Sequence, residues 1–131
     1  ILDNIIRGEK GFVGIDWRQS FAGLVDYGDI YYDLAKVNHS LTMDHEILNS
    51  GHFAVDNDAA GVSVSLLRNS RLLECEKVLE GFVREKGYDF QQVQVLTPLI
   101  WINMAPLHPA SIGMFLYQYG KYSLWKALRL N

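Results

Sequence analysis

Two residues near the start of the chain carry oxygen atoms that could bind a divalent cation. Asn4 opens one short β-prone run, Asp16 closes another, and Gly8-Glu9-Lys10-Gly11 lies between the two runs. A glycine-containing turn of this kind joins the strands of a hairpin, so we expect Asn4 nearly opposite Asp16. Facing residues have Cβ atoms about 4.5–5.5 Å apart, which lets one Mg²⁺ take an oxygen from each. The spacing predicts a metal clamp at the open end of the hairpin.

A second group of acidic residues follows in Y-G-D-I-Y-Y-D-L-A, which contains Asp29 and Asp33. Apolar residues recur after Asp29 at helical spacing, so both acids fall in the first turn of a predicted helix. Acidic side chains there accept hydrogen bonds from free N–H groups and interact favourably with the helix dipole. We therefore expect Asp29 and Asp33 to support the structure around the site.

The two segments together resemble the kinase-like phosphotransferase family of aminoglycoside and choline kinases. In that family H-x-D-x-x-x-x-N is followed by a short hairpin, by I-D-[FW] and then by G-D-x-x-Y-D-L-A. The resemblance implies that Asn4 and Asp16 hold Mg²⁺ on the phosphates of ATP. It also implies that Asp29 and Asp33 are the two later aspartates, of which Asp33 braces the catalytic loop. The implied fold is the C-terminal lobe of a kinase-like fold.

One part of the family pattern departs from this sequence. The family's catalytic Asp stands five positions before its Asn, which here falls before Ile1, and Asp3 has the wrong spacing to replace it. The nucleotide-covering N-terminal lobe and its phosphate-pairing Lys have no counterpart either. We therefore expect residues 1–131 to be a single domain, a C-lobe fragment with no catalytic residue of its own and inactive by itself.

The resemblance extends beyond the first motifs. The segment L-T-P-L-I-W-I-N-M-A-P-L-H and the last predicted helix are similar to the C-terminal helices of a bacterial branch linked to surface-polysaccharide or phosphocholine metabolism, in which the hairpin at 52–67 is an insertion. This implies a phosphoryl acceptor that is a small molecule with a hydroxyl group. The acceptor pocket would be built from the C-terminal helices, and the resemblance identifies no residues for it.

The composition excludes some classes of partner. A net charge of -3 gives no basic surface for nucleic acid, and the most apolar stretch, 96–107, is interrupted by polar residues and prolines. We therefore expect neither a nucleic-acid nor a membrane partner. Cys75 is the only cysteine, so the chain has no internal disulfide, which is typical of a cytoplasmic protein.

The pattern along the chain predicts a mostly helical α+β fold. Two hairpins are expected, with strands at 4–7 and 12–16 and a second pair within 52–67. About four helices are expected, and their predicted ranges are 29–49, 70–86, a segment from 89 that Pro98 kinks or restarts, and 110–130. Asp89 and Gln92 have the spacing of a capping box.

The remaining reactive side chains have structural interpretations. His39, His45, His52 and His108 show no metal-binding spacing, so we expect surface or core histidines. Cys75 falls on the apolar face of the helix at 70–86, where a thiol packs as a small hydrophobe. Trp101, Trp125 and the aromatic residues of the last helix are expected in the core rather than as a substrate platform.

Two other classes of function stay open. The first is a non-catalytic binding module that keeps the kinase-like fold and has lost the chemistry. The second is a self-contained helical domain that oligomerises. In the latter case a homodimer would form through the face that an N-lobe would otherwise cover, because large exposed apolar patches favour a partner.

Overall fold

The protein is described by a computed structural model that covers residues 2–15 and 20–129. The described part contains two antiparallel hairpins and five α-helices, which confirms the α+β class with helix dominant. The strands are β1 (Ile5–Gly8), β2 (Gly11–Gly14), β3 (Phe53–Asp58) and β4 (Gly61–Leu66), and the helices are α1 (Ile30–Thr42), α2 (His45–Asn49), α3 (Ser70–Glu85), α4 (Phe90–Met104) and α5 (Ala110–Arg129). Short 3₁₀ turns, Leu2–Asn4 and Ala105–Leu107, precede β1 and follow α4.

Four helices begin at an Asp or Asn whose side chain caps the first turn. In each case the side-chain oxygen accepts a hydrogen bond from the backbone N–H two residues later, which satisfies a donor that has no partner inside the helix. The capping residues and their donors are Asp29 with Tyr31, Asp44 with Glu46, Asn69 with Arg71 and Asp89 with Gln91. These local signals explain why the helices start where they do.

The single helix predicted over 29–49 is instead two helices, so the prediction was wrong at its centre. Met43 is extended, with φ -115° and ψ 101°, and its side chain is almost completely buried. The next residue, Asp44, bonds the N–H of Glu46 and thereby starts α2. An Asp side chain competes in this way with continuation of a helix, and the apolar spacing continued across the break.

The other helices follow the prediction, and of the two alternatives at Pro98 the restart of the helix is not observed. Helix α3 ends before Gly87, whose φ of 78° is the left-handed conformation expected at that position. Helix α4 begins after Asp89 and runs through Pro98 without restarting. The capping bond goes from the N–H of Gln91 to Asp89, while the N–H of Gln92 bonds the Asp89 carbonyl.

The core consists of two apolar clusters that share helix α4. One cluster lies between α1, α3 and α4, where Ala35, Val83 and Val93 are fully buried. The other joins α4, α5 and the β3–β4 hairpin, and in it the rings of Phe53 and Phe115 lie 4.7 Å apart. Helix α4 therefore holds the two halves of the core together.

Two predictions of burial on the helices were wrong. Cys75 is exposed, because α3 contacts the core through Leu79 and Val83 nearer its C-terminal end. Trp101 and Phe115 are buried in the core as expected, but on α5 Trp125 is 50% exposed, and Tyr117 and Tyr122 are exposed as well. Among the described residues, no helix combines the length and apolar character that crossing a bilayer would require.

Candidate functional site

The hairpin predicted near the start of the chain is confirmed. Strands β1 and β2 pair antiparallel with Ile5 opposite Gly14, and the turn closes at Gly11, whose φ of 130° favours glycine. The register also fixes the position of Asn4. The N–H of Ile15 donates to the Asn4 carbonyl over 2.7 Å, so Ile15 is the backbone partner of Asn4.

Asp16 follows Ile15 directly but lies outside the described residues. Asn4 was expected nearly opposite Asp16, and the observed register is offset from direct pairing by one residue. The position of the Asp16 carboxylate relative to the Asn4 amide therefore stays a prediction from the sequence. Asn4 is half-buried where the hairpin opens.

A tight turn holds the loop before α1 against that helix. Phe21 and Leu24 exchange backbone hydrogen bonds of 2.8 and 2.9 Å, and Ala22 and Gly23 between them both have positive φ. The ring of Phe21 packs at 5.7 Å from that of Tyr32 in the first turn of α1. The turn is thereby anchored to the start of α1.

Asp29 and Asp33 lie together at the start of α1. The Asp29 carboxylate accepts from the N–H groups of Tyr31 at 2.8 Å and Tyr32 at 3.4 Å, and the N–H of Asp33 donates to the Asp29 carbonyl. Both side chains are exposed. The expected capping role of Asp29 is confirmed, and bracing of a catalytic loop by Asp33 stays a prediction.

A cleft of about 590 Å³ opens beside the first residues of the chain. It lies where the 3₁₀ turn that ends at Asn4 meets the α1–α2 corner and the start of α3. Its walls are Leu2, Ser40, Met43, Asp44, His45, Glu46, Asn49, Ser50 and Leu72. The wall therefore combines carboxylate, amide, hydroxyl and imidazole groups with three apolar side chains.

Several polar groups of the cleft are held by local hydrogen bonds. The Asp44 carboxylate caps α2 through the N–H of Glu46 at 2.9 Å, and the Ser40 hydroxyl donates to the carbonyl of Lys36 at 3.3 Å. Such a wall suits a small polar molecule with hydroxyl groups. Sequence reasoning identified no residue of this cleft. The helix-capping signal at Asp44 could have indicated a corner there.

His39 lies in the core close to the cleft residue His45, with the two rings 6.3 Å apart. Its Nε2 is 3.3 Å from the sulfur of Met104, and its Nδ1 has no hydrogen-bond partner among the described residues. Burial, followed by the charge of Lys36 and the neighbouring His45, lowers the pKa of His39 to about 4. His39 is therefore a neutral core histidine near pH 7.

The other histidines lie nearer the surface. His45 and His52 are exposed, and His108 is half-buried. Over residues 2–15 and 20–129, no three or more His, Cys, Asp or Glu side chains form a group that could hold a metal ion.

Comparison of the chain with protein-family models, with curated proteins and with solved structures finds no match. The kinase-like resemblance therefore depends on the motifs around Asn4, Asp16, Asp29 and Asp33. The function that it implies is accordingly a proposal.

Proposed function

We propose that the chain is the C-terminal lobe of a kinase-like phosphotransferase, which moves the γ-phosphoryl group of ATP to the hydroxyl of a small molecule. The observation that supports this most is the register of the first hairpin. It pairs Asn4 with Ile15 where the hairpin opens, and Ile15 is the residue directly before Asp16 in the sequence. The capped start of α1 then follows, in the order that the family motif requires.

The donor set suits magnesium. An Asn amide oxygen and an Asp carboxylate are hard oxygen ligands of the kind that Mg²⁺ prefers in proteins. Bound Mg²⁺ would supply neutralisation of negative charge on the nucleotide phosphates. The task of the chain's own residues is positioning: the Ile15 hydrogen bond fixes the backbone at Asn4, and Asp29 holds the first turn of α1.

The polar cleft is the proposed acceptor site, in place of the pocket between the C-terminal helices that the resemblance implies, since its described lining contains no residue of α4 or α5. Leu2 lines it and stands two residues before Asn4, so the cleft opens next to the segment that carries the catalytic loop in the family. None of the residues that match the family motif is the family's catalytic base, so the test measures binding.

The test is the thermal midpoint of the chain with Mg²⁺, with ATP and with both. A ligand at about 100 times its Kd adds about 2.7 kcal/mol, which raises the midpoint of a domain of this size by roughly 5–15 °C. We expect a rise that needs both components, that disappears in Asp16→Ala and that is reduced in Asn4→Ala. Asp56→Ala, which removes an exposed carboxylate from the second hairpin, is the matched control.

Two outcomes would contradict the proposal. One is the lack of any midpoint shift when both components are added at high concentration. The other is a shift that Asp16→Ala and Asp56→Ala change equally, because binding would then depend on general charge and not on the hairpin.

A second candidate function is an oligomerising domain, and the exposed surface favours it. The chain exposes 9214 Å², whereas a compact monomer of 14.9 kDa exposes about 7,000 Å². Ile5 and Ile6 are both exposed although neighbouring strand residues point to opposite faces, so both faces of the first hairpin are apolar. A second copy that covers this hairpin would bury part of the surface that the chain exposes beyond that of a compact monomer.

Sedimentation equilibrium tests this candidate. If a second copy covers the hairpin, the chain forms a dimer that Phe12→Ser with Val13→Ser converts to a monomer. Val62→Ser, at a similarly exposed position of the second hairpin, should leave the dimer intact. A monomer at all concentrations would exclude the dimer.

A further inference from the structure

Helix α5 has a charge distribution unlike that of the rest of the chain. It carries Lys121, Lys126 and Arg129, while none of the chain's 15 acidic residues lies in it. The chain as a whole is acidic, with a net charge of -3. Helix α5 is therefore a positively charged element of an acidic chain.

The outer face of α5 is also apolar. Met114, Tyr117, Trp125 and Leu128 follow one another at helical spacing, and each is exposed. The opposite face, which includes Leu116, packs on α4 and the second hairpin. The helix thus has two apolar faces, of which the described part of the chain covers one.

The cations lie among the exposed aromatic rings. The ammonium of Lys121 is 5.1 Å from the ring centre of Tyr117, and the guanidinium of Arg129 is 4.4 Å from that of Trp125. Tyr122 stacks on Trp125 at 6.1 Å. Side chains arranged like this lay their carbon stems along apolar surface and extend their charged ends outwards.

An apolar groove extends this face towards the end of α4. It measures about 620 Å³ and is lined mainly by apolar atoms of the Ala105–Leu107 turn and the first turns of α5. Met114 and Tyr117 belong both to the groove and to the outer face of α5. The uncovered surface therefore continues from the groove onto the outer face of α5, where Lys121 lies between Tyr117 and Trp125.

We propose that the outer face of α5 binds the surface of an anionic lipid bilayer, a role beyond the proposed kinase function. Trp and Tyr rings favour the boundary between lipid headgroups and acyl chains, and Lys and Arg bind anionic headgroups. A helix that presents aromatic residues with cations and no acidic residue fits this surface. A protein partner would need an acidic patch to match these cations, whereas an anionic bilayer presents negative charge over its whole surface. The sequence-based expectation of no membrane partner rested on the lack of a spanning segment, which this mode of binding does not need.

The electrostatic part is tested by co-sedimentation of the chain with vesicles. Binding to phosphatidylcholine vesicles that contain phosphatidylglycerol should exceed binding to phosphatidylcholine alone and should fall as salt is added. Lys121→Gln with Arg129→Gln should weaken binding by roughly 30-fold. Lys77→Gln with Lys86→Gln removes the same charge from α3 and from the residue that follows it, and should leave binding unchanged. Equal weakening by the two pairs, or equal binding to both kinds of vesicle, would overturn the proposal.

The apolar part is tested with substitutions that keep the charge. Met114→Gln with Leu128→Gln should reduce binding while the helical circular dichroism persists, because the core face of α5 is untouched. Trp125 emission should shift to the blue on binding, and Trp125→Phe should lose that shift while still binding. A concentration-dependent dimer that Leu128→Gln dissociates, together with no binding to vesicles, would assign the face to a second copy and overturn the lipid proposal.

Discussion

Asn38 and Thr97 join α1 to α4 through a buried hydrogen bond. The Asn38 amide donates from Nδ2 to the Thr97 hydroxyl over 3.0 Å, and that hydroxyl lies 2.7 Å from the carbonyl of Val93, to which it donates. Both side chains are buried, and they lie beside the cluster that holds Ala35 and Val93. A polar pair inside an apolar core fixes how the two helices meet, because each group has few other partners.

Thr97→Val should lower the free energy of unfolding by about 1–3 kcal/mol. Valine keeps the shape of threonine but removes the oxygen, so the Asn38 amide loses its acceptor while it stays buried. The measurement is chemical denaturation followed by circular dichroism. The double variant Asn38→Leu with Thr97→Val leaves no amide unpaired and should be less destabilised than the two single changes added together. If the losses in the free energy of unfolding are strictly additive, the hydrogen bond between Asn38 and Thr97 makes no contribution of its own to stability.

The stability of the fold should fall when the pH is lowered from about 6.5 to 4. The pKa of folded His39 is about 4, whereas an unfolded histidine titrates near its ordinary value of 6.5. In that window the unfolded chain binds a proton that the folded ring does not. The neutral buried ring therefore contributes roughly 3 kcal/mol to the free energy of unfolding above pH 6.5, and this contribution is lost towards pH 4. Denaturation midpoints measured across the window test this.

His39→Leu should flatten the dependence on pH in that window, since it removes the buried titrating group. His52→Gln removes an exposed histidine and should leave the dependence as it is. An unchanged slope in His39→Leu would mean that other groups cause it.

Gly113→Ala should destabilise the protein by about 1–3 kcal/mol. A Cβ at Gly113 would lie 2.6 Å from the carbonyl oxygen of Ala105, so α5 would have to move away from the end of α4. Gly81→Ala is the matched control in α3, where a Cβ meets nothing within 4 Å, and it should stabilise by about 1 kcal/mol. Thermal denaturation compares the two. If Gly113→Ala is as stable as the unchanged protein, α5 and the end of α4 can move apart at little cost in free energy.

Asp29→Ala should cost about 1 kcal/mol of stability, because the first turn of α1 loses the acceptor of its N–H groups. Asp33→Ala should cost less, since its exposed carboxylate affects only the helix dipole. Thermal midpoints of the two variants measure the difference. If both residues support the site without touching the ligand, the rise in midpoint with Mg²⁺ and ATP should persist in both. Its complete loss in Asp29→Ala would instead indicate contact with the ligand.

The sequence predicted the elements whose signals are local. Both hairpins, the caps at Asp29 and Asp89 and the stop at Gly87 depend on residues a few positions apart, and the structure has them at the expected places. The α+β class was predicted for the same reason, because the spacing of apolar residues within a short segment distinguishes strand from helix.

Features that depend on distant contacts could not be predicted in this way. The break after α1 combines the local cap at Asp44 with the burial of the Met43 side chain, and apolar periodicity does not register that burial. The exposure of Cys75 depends on which end of α3 meets the core. The cleft combines residues from four separate elements, and only the folded chain brings them together.

The crossing of α4 and α5 carries a consequence for evolution. Gly113 and Gly120 stand about two turns apart on α5, where added side chains would collide with Ala105 and with Ile102. A descendant that keeps this crossing unchanged should keep glycine at both places, because a Cβ there requires a neighbouring group to shift. Glycines at these two positions, with Pro98 and Ile102 on the facing helix, are therefore a sequence pattern by which distant relatives could be identified when the overall sequence identity is low.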